Sequence, residues 1–329
     1  MSELHKFLFE GLPVRGVLVR LTDSWQTVLA KRAANAETGA YPPAVRALLG
    51  EMTAAAVLMQ ANIKFNGALV LQMMGEGPLK LAVVEVQSDM RFRSTAKTIG
   101  EVSQGMGLAD MANQRNLGRC AITLDPLGRR PGQQPYQGVV PLYDDQREPL
   151  NRFSDVLAHY MLQSEQLDTT LVLAANDDIA AGLLIQRLPM HGAANLAGKE
   201  SMADEAEIGR NEDYNRIAML AQSLTSEELL TLSTDKILHR LFWQETIRRF
   251  EPAPADEAPR FSCSCNRDRV SNMLRGLGQE EANSILAERP LIEVGCDFCG
   301  QQYRYDAVDA AQLFAQQTTI QPPGSSALQ

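Results

Sequence analysis

Four of the five cysteines in this 329-residue chain lie near its C-terminus, Cys263 and Cys265 as a CxC pair and Cys296 and Cys299 as a CxxC pair. Each pair can present two sulfurs to one metal ion. The 30 residues between Cys265 and Cys296 are enough to fold back and bring the pairs together. That layout fits one zinc ion held by four thiolates on two short cysteine turns. The same pairs could instead close as two local disulfides. His5, His159, His191 and His239 are scattered away from the cluster, which argues against a catalytic zinc with three protein ligands and a water. A thioredoxin-like oxidoreductase would set CxxC at the end of the first strand of a βαβ unit, a context absent here. A plain zinc staple and a redox or metal-sensing switch both remain open.

Two physical features favour the switch. A disulfide across CxC closes a very small ring and should be strained and easily reduced. A sulfur committed to a disulfide also cannot serve as a thiolate ligand, so oxidation and metal binding exclude each other.

The elements that must position the cysteines are short. Val270, Leu274 and Leu277 mark an amphipathic helix stopped at Gly278, Ala282, Ile285 and Leu286 a second one, and strands Leu291–Val294 and Gln302–Tyr305 flank the CxxC pair. Roughly sixty residues bury little core alone, so a metal worth ~10–16 kcal/mol should supply much of the folding energy.

Upstream, alternating β-branched residues predict a strand over Val14–Leu21, and Asp23 or Ser24 can cap a helix through about Ala34. Pro42-Pro43 opens a long apolar helix bearing Leu48, Leu49, Met52, Ala55, Ala56 and Met59. Strands are expected at Ala68–Met73, Leu79–Val86, Arg91–Ala96, Arg119–Leu124, Gly138–Leu142, Thr169–Ala174 and Ala181–Leu188, with a helix over Val156–Gln163. The turn Gly75–Pro78 joins two strands and lacks a P-loop lysine, which argues against phosphate binding. Met52, Met59, Met73 and Met74 fall at core-like positions, and Cys120, flanked by apolar residues, reads as a small buried hydrophobe.

From Glu200 to Asp213 six acids face one base. Helical stripes then appear at Tyr214, Ile217, Ala218, Ala221 and Leu224, and at Ile237, Leu238, Leu241, Phe242, Ile247 and Phe250. Such helices depend on docking for stability. Phe242, Trp243 and Phe250, near Arg248 and Arg249, are candidates for a protein-binding surface once undocked. They serve equally as the docked face of an amphipathic helix. The expected architecture is α+β: a mixed α/β core domain over 1–190, an acid-rich, metastable helical linker over 191–259, a small zinc-binding domain over 260–315 and a frayed tail over 316–329.

Composition narrows the function classes. A net charge of −9 argues against nucleic-acid and anionic-membrane partners. No apolar run approaches the ~18 residues of a transmembrane helix. The start of the chain lacks signal-peptide features, so a cytoplasmic setting with reduced thiols is expected.

These residues resemble the family of the redox-regulated heat-shock protein of 33 kilodaltons, an ATP-independent holdase. The most specific stretches are Phe261-Ser-Cys-Ser-Cys-Asn-Arg-Asp-Arg-Val270, Leu277-Gly278, Ile292-Glu-Val-Gly-Cys-Asp-Phe-Cys299 and Tyr303-Arg-Tyr-Asp306. The N-terminal half adds Pro13-Val-Arg-Gly16, Ile63-Lys-Phe-Asn-Gly67, Gly77-Pro-Leu-Lys80, Tyr136-Gln-Gly138, Ser164-Glu-Gln166 and Ala181-Gly-Leu-Leu-Ile-Gln186. Asn266 stands where a serine is common, and Asp268 where a glutamate is common. The resemblance implies a non-enzymatic chaperone, inactive while four thiolates hold one zinc ion. Oxidation then forms Cys263–Cys265 and Cys296–Cys299, zinc is lost, the linker unfolds, and the protein captures unfolding clients as a homodimer instead of a monomer. The competing class is a constitutive zinc-ribbon protein that binds nucleic acid or a protein partner. Six arginines against nine acids from Asp256 to Asp306 disfavour the nucleic-acid version.

Overall fold

The structure, a computed structural model, describes residues 2–35, 38–129, 132–188, 208–251, 254 and 257–315. By packing, the chain forms two compact units, Met1–Ser262 and Cys263–Gln329. The first unit begins with β1 (Glu3–Phe9), β2 (Val14–Leu21), α1 (Asp23–Ala33) and α2 (Pro43–Asn62). The meander β3 (Gly67–Met74), β4 (Leu79–Gln87) and β5 (Arg91–Thr98) follows, then α3 (Leu108–Ala112), β6 (Arg119–Pro126) and β7 (Tyr136–Pro141). Next come α4 (Phe153–Glu165), β8 (Thr169–Ala175) and β9 (Ala180–Arg187). The unit ends with α5 (Glu212–Gln222), α6 (Ser226–Thr231), α7 (Thr234–Phe242) and the short strands β10 (Ile247–Arg249) and β11 (Arg260–Phe261).

Two sheets result, in the orders β10-β1-β2-β9-β8 and β11-β5-β4-β3-β6-β7. Every pairing in them is antiparallel except β11 on β5. Helix α2 lies between the sheets, against β2, β8 and β9 of one and β3, β4 and β5 of the other. Its sequence explains the position. From Leu48 to Ala61 every residue but Glu51 is fully buried, so the helix has no polar face to turn to water. By length and composition α2 could span a bilayer, but 78% of its apolar window is buried inside the protein, as befits a core helix.

The outer face of the five-stranded sheet is covered as well. Phe7, Phe9, Val14, Leu18, Leu183 and Ile185 pack against Ile217, Ala221, Leu229, Ile237, Leu241 and Phe242 of α5–α7. Sequence-local caps support these short helices. The Asn211 side chain accepts from the Tyr214 N–H, and Thr225 and Glu228 form a reciprocal capping box at the start of α6. Gly209 N–H donates to Asp168 Oδ1 (2.9 Å), whose Oδ2 pairs with buried Arg187 (2.8 Å), anchoring the segment where it enters the fold.

Several expectations change. The apolar periodicity does not continue past α7. The helix ends at Phe242, and Ile247–Arg249 extend along β1 as an edge strand, with Phe9 opposite Ile247. A period of three or four over so few residues does not separate a helix from a helix followed by a strand. Neither Asp23 nor Ser24 caps α1. Asp23 Oδ1 accepts from Ser2 N (2.7 Å) and Ser2 Oγ (2.8 Å), and Ser24 is buried. Met74 is 39% exposed and leaves the core group that Met52, Met59 and Met73 do join. Strand β1 and helix α3 went unread in the sequence. Cys120 is fully buried, and burial pushes its thiol up to about 12. Residues 200–207 of the acidic run, the stretch Met190–Gly198 and the tail from 316 lie outside the described residues.

The second unit contains α8 (Arg267–Leu277), α9 (Gln279–Glu288), β12 (Ile292–Gly295), β13 (Gln302–Tyr305) and α10 (Ala307–Ala315). Strands β12 and β13 pair as an antiparallel hairpin, Ile292 opposite Tyr305. Asn266 caps α8, its Oδ1 accepting from Arg269 N at 2.8 Å.

Candidate metal centre

Cys263 and Cys265 lie between β11 and α8, while Cys296 and Cys299 occupy the turn of the β12–β13 hairpin. The hairpin turn is closed by its backbone: Cys296 N–H donates to Gln301 O (3.0 Å) and Gly300 N–H to Cys296 O (2.8 Å). Gly300 adopts φ +72°, a left-handed conformation that a β-carbon would strain. The structure thus brings the CxC and CxxC pairs together. Cys263 Sγ is 3.6 Å from Cys296 Sγ, Cys265 Sγ is 3.4 Å from Cys299 Sγ, and all four sulfurs lie within 4.8 Å of one another. A tetrahedral ion with bonds of about 2.3 Å sets its sulfurs about 3.8 Å apart, so the four cysteines could hold a single metal ion.

The electrostatics point the same way. Burial pushes the Cys296 and Cys299 thiols up, and backbone N–H groups of Phe298 and Cys299 toward Cys296, and of Gln301 toward Cys299, partly offset this. Burial also raises Cys265, but hydrogen bonds from Tyr303 Oη (3.2 Å) and the neighbouring thiols outweigh it and hold that thiol below its ordinary range. Four crowded sulfurs repel one another as thiolates and ionise together only around a cation. Tyr303 is the polar contact that the sequence reading missed. Its position four residues beyond Cys299 was visible, but nothing in the spacing says that its hydroxyl turns back to Cys265.

The same unit has a small core that includes Leu274, Ala282, Ile292, Tyr305 and Phe314. Tyr305 Oη donates to Arg267 O (3.0 Å) and hydrogen-bonds Ser271 Oγ (3.0 Å), and the Arg267 guanidinium lies 4.3 Å over its ring. The three client-surface candidates, Phe242, Trp243 and Phe250, differ in burial. Phe242 is 2% exposed and meets Phe9 edge-on at 5.0 Å, whereas Trp243 and Phe250 are 66% and 48% exposed.

An α+β protein in which a helix-filled pair of sheets is followed by a four-cysteine unit is a defined class. A family model described as Hsp33 protein matches residues 2–306. The 33 kDa chaperonin of Chromobacterium violaceum is 45% identical over 314 residues, covering 95% of this chain and 94% of the relative. That of Methylobacillus flagellatus is 43% identical over 325 residues, covering 98% and 97%. The chain belongs to the Hsp33 family. Among solved structures, the 33 kDa chaperonin of Thermotoga maritima shares the fold at a TM-score of 0.71 and 18% identity, over 96% of this chain and 99% of that one.

Proposed function

We propose that this chain is a redox-regulated holdase, a non-enzymatic cytoplasmic chaperone that binds unfolding proteins without ATP. The observation that carries the reading is the convergence of four sulfurs at metal-ligand spacing in a unit with too little apolar core to hold itself. Membership of a family whose relatives are named 33 kDa chaperonin supplies the class.

Cys263, Cys265, Cys296 and Cys299 hold one zinc ion in the reduced form. When bound, zinc keeps the four sulfurs as thiolates and ties the two cysteine turns together. Cys263 with Cys265, and Cys296 with Cys299, are the pairs that oxidise. Each pair of thiolates gives two electrons to one hydrogen peroxide, which with two protons leaves as two waters, and an S–S bond forms. Four donor sulfurs become none, and Cys263–Ala315 loses its tie. The segment 208–251 then undocks and uncovers the apolar outer face of the five-stranded sheet around Phe7, Phe9 and Leu18. That face captures clients, and the active form is a homodimer. Net charge −9 disfavours nucleic acid as the captured partner.

The test is aggregation of a heat-unfolded client without ATP, with free thiols and released zinc counted in the same samples. Peroxide-treated protein should lose four thiols and one zinc and suppress aggregation, while the reduced form should not. Equal suppression by both forms, or oxidation with zinc retained, would count against the switch.

A further inference from the structure

The stretches through which the N-terminal half resembles the family are not explained by a cysteine switch in the other unit. Five of the six converge on one place. Arg15, Ile63, Tyr136, Glu165 and Gln186, one from each of those five stretches, line a single cavity of about 110 Å³ in the first unit. Its remaining wall is largely apolar, including Met59, Leu69, Ile122 and Leu124. Engineered apolar cavities of about 150 Å³ accept benzene, so this one suits a short alkyl chain.

The lining carries one cation, Arg15. Arg15 donates from Nε (3.1 Å) and Nη2 (2.5 Å) to Gln186 Oε1, which also accepts from Asn62 Nδ2 (2.9 Å). A neutral amide therefore orients the guanidinium, and Arg15 forms no ion pair and leaves Nη1 without a hydrogen bond among the described residues. Lys6 adds a second positive charge close by. Leu8 is the cross-strand partner of Arg15, and Lys6 lies two residues away on the same face of β1. Burial lowers the affinity of both groups for their protons, and Arg15 lowers that of Lys6 further. Elsewhere in the lining Glu165 Oε1 accepts from Tyr160 Oη (2.7 Å) and Tyr136 Oη (3.1 Å), so the carboxylate is engaged by phenols and, among the described residues, forms no ion pair with Arg15. An acid-free guanidinium at an apolar hole is the arrangement that recognises an amphipathic anion, because a carboxylate gains charge-assisted hydrogen bonds while its tail leaves water.

We infer that this cavity binds a small carboxylate with a short apolar tail, its head on Arg15 Nη1 beside Lys6 and its tail against Met59, Ile63, Leu69 and Ile122. The probe is hexanoate, titrated into the reduced full chain by calorimetry and by saturation-transfer NMR, with hexanamide as the uncharged control. Hexanoate should bind saturably and hexanamide at least about tenfold more weakly, and Arg15→Gln should lower hexanoate affinity by a similar factor. Leu124→Phe, which fills the cavity and leaves the charges in place, should abolish binding of both. No saturable hexanoate binding, equal binding of the amide, or full affinity in folded Arg15→Gln would overturn the assignment. Should Arg15→Gln fail to fold, the acid–amide comparison on the unaltered chain and the Leu124→Phe titration still decide it.

Discussion

Helix α2 and the cysteine unit bury apolar side chains on different scales. Two sheets enclose α2 so completely that an unbroken run from Met52 to Ala61 is buried. Among the described residues, the cysteine unit buries six apolar side chains, Leu274, Ala282, Ile292, Tyr305, Ala310 and Phe314. Its three helices show water most of their surface: in α8 only Ser271 and Leu274 are buried, and in α9 only Ala282. Six side chains, two of them alanines, at no more than ~3 kcal/mol each do not offset the ordering of roughly fifty residues at ~1.5 kcal/mol apiece. The first unit is held by its packing, and the second needs its four sulfurs tied together. The proposed switch places its sensor where one chemical event removes most of the stabilisation.

The largest effect should therefore come from one ligand. Under the proposed function Cys263→Ser leaves the zinc ion three sulfurs, and because even indirect partners of metal ligands are worth 10–100-fold in affinity, zinc binding should fall by more than about 100-fold. Hydrogen exchange should then show residues 263–315 near unfolded rates while α2 keeps its protection. Chelation of the unaltered chain should give the same pattern. Retained protection in the cysteine unit, or loss of it in α2, would break the contrast.

The layer α5–α7 stands between these extremes, packed on a sheet but built of short helices. Phe242 sits against Phe7 and Phe9, with ring centroids 6.3 and 5.0 Å away. Phe242→Ala should cost about 3–5 kcal/mol, measured by denaturant melting, and should raise protease cleavage within 208–251 before the rest of the first unit opens. A loss below about 1 kcal/mol would mean that the layer is not docked through this residue.

How much of this was legible in the sequence follows from the range of the interactions. The four-cysteine cluster was readable because CxC and CxxC pairs can each present two sulfurs to one place, and α2 because Pro42-Pro43 opens a long apolar stretch. The edge strand β10 was not, since Ile247 and Phe250 fit a helical stripe as well as a strand. What makes it a strand is β1, more than two hundred residues away in sequence. Helix α3 spans only Leu108–Ala112, too short to show a period. The Tyr303 bond to Cys265 and the cavity around Arg15 likewise join residues whose proximity no local pattern encodes. The capping box at Thr225 and Glu228 was within reach, because Thr-x-x-Glu is a local signature.

Even α2 has one discordant residue. Glu51 is the break in its buried run, and burial pushes its carboxyl up to about 7, against a partial opposing pull from Arg152. The folded chain thus keeps a proton that the unfolded chain releases near pH 4.5. The resulting stabilisation is fully present below that pH and is lost as pH rises through 7. Glu51→Gln stays neutral throughout, so it should match the parent near pH 4.5 and exceed it by about 2–3 kcal/mol at pH 8. Melting curves at the two pH values check this, and a variant equally or less stable at pH 8 would place the carboxylate in a solvated, paired setting.

The smallest effect sharpens the boundary of the docked layer by one residue. Trp243 follows Phe242 directly, yet it is 66% exposed where Phe242 is 2% exposed. Removing the indole leaves no cavity and frees no buried partner, so Trp243→Ala should change stability by less than about 0.5 kcal/mol. Its neighbour should cost several times more. If Trp243 belongs to the capture surface, the variant should melt like the parent and, once oxidised, suppress client aggregation less well. A melting loss comparable to that of Phe242→Ala would show that the tryptophan holds the layer down, and the docked face would then extend past the end of α7.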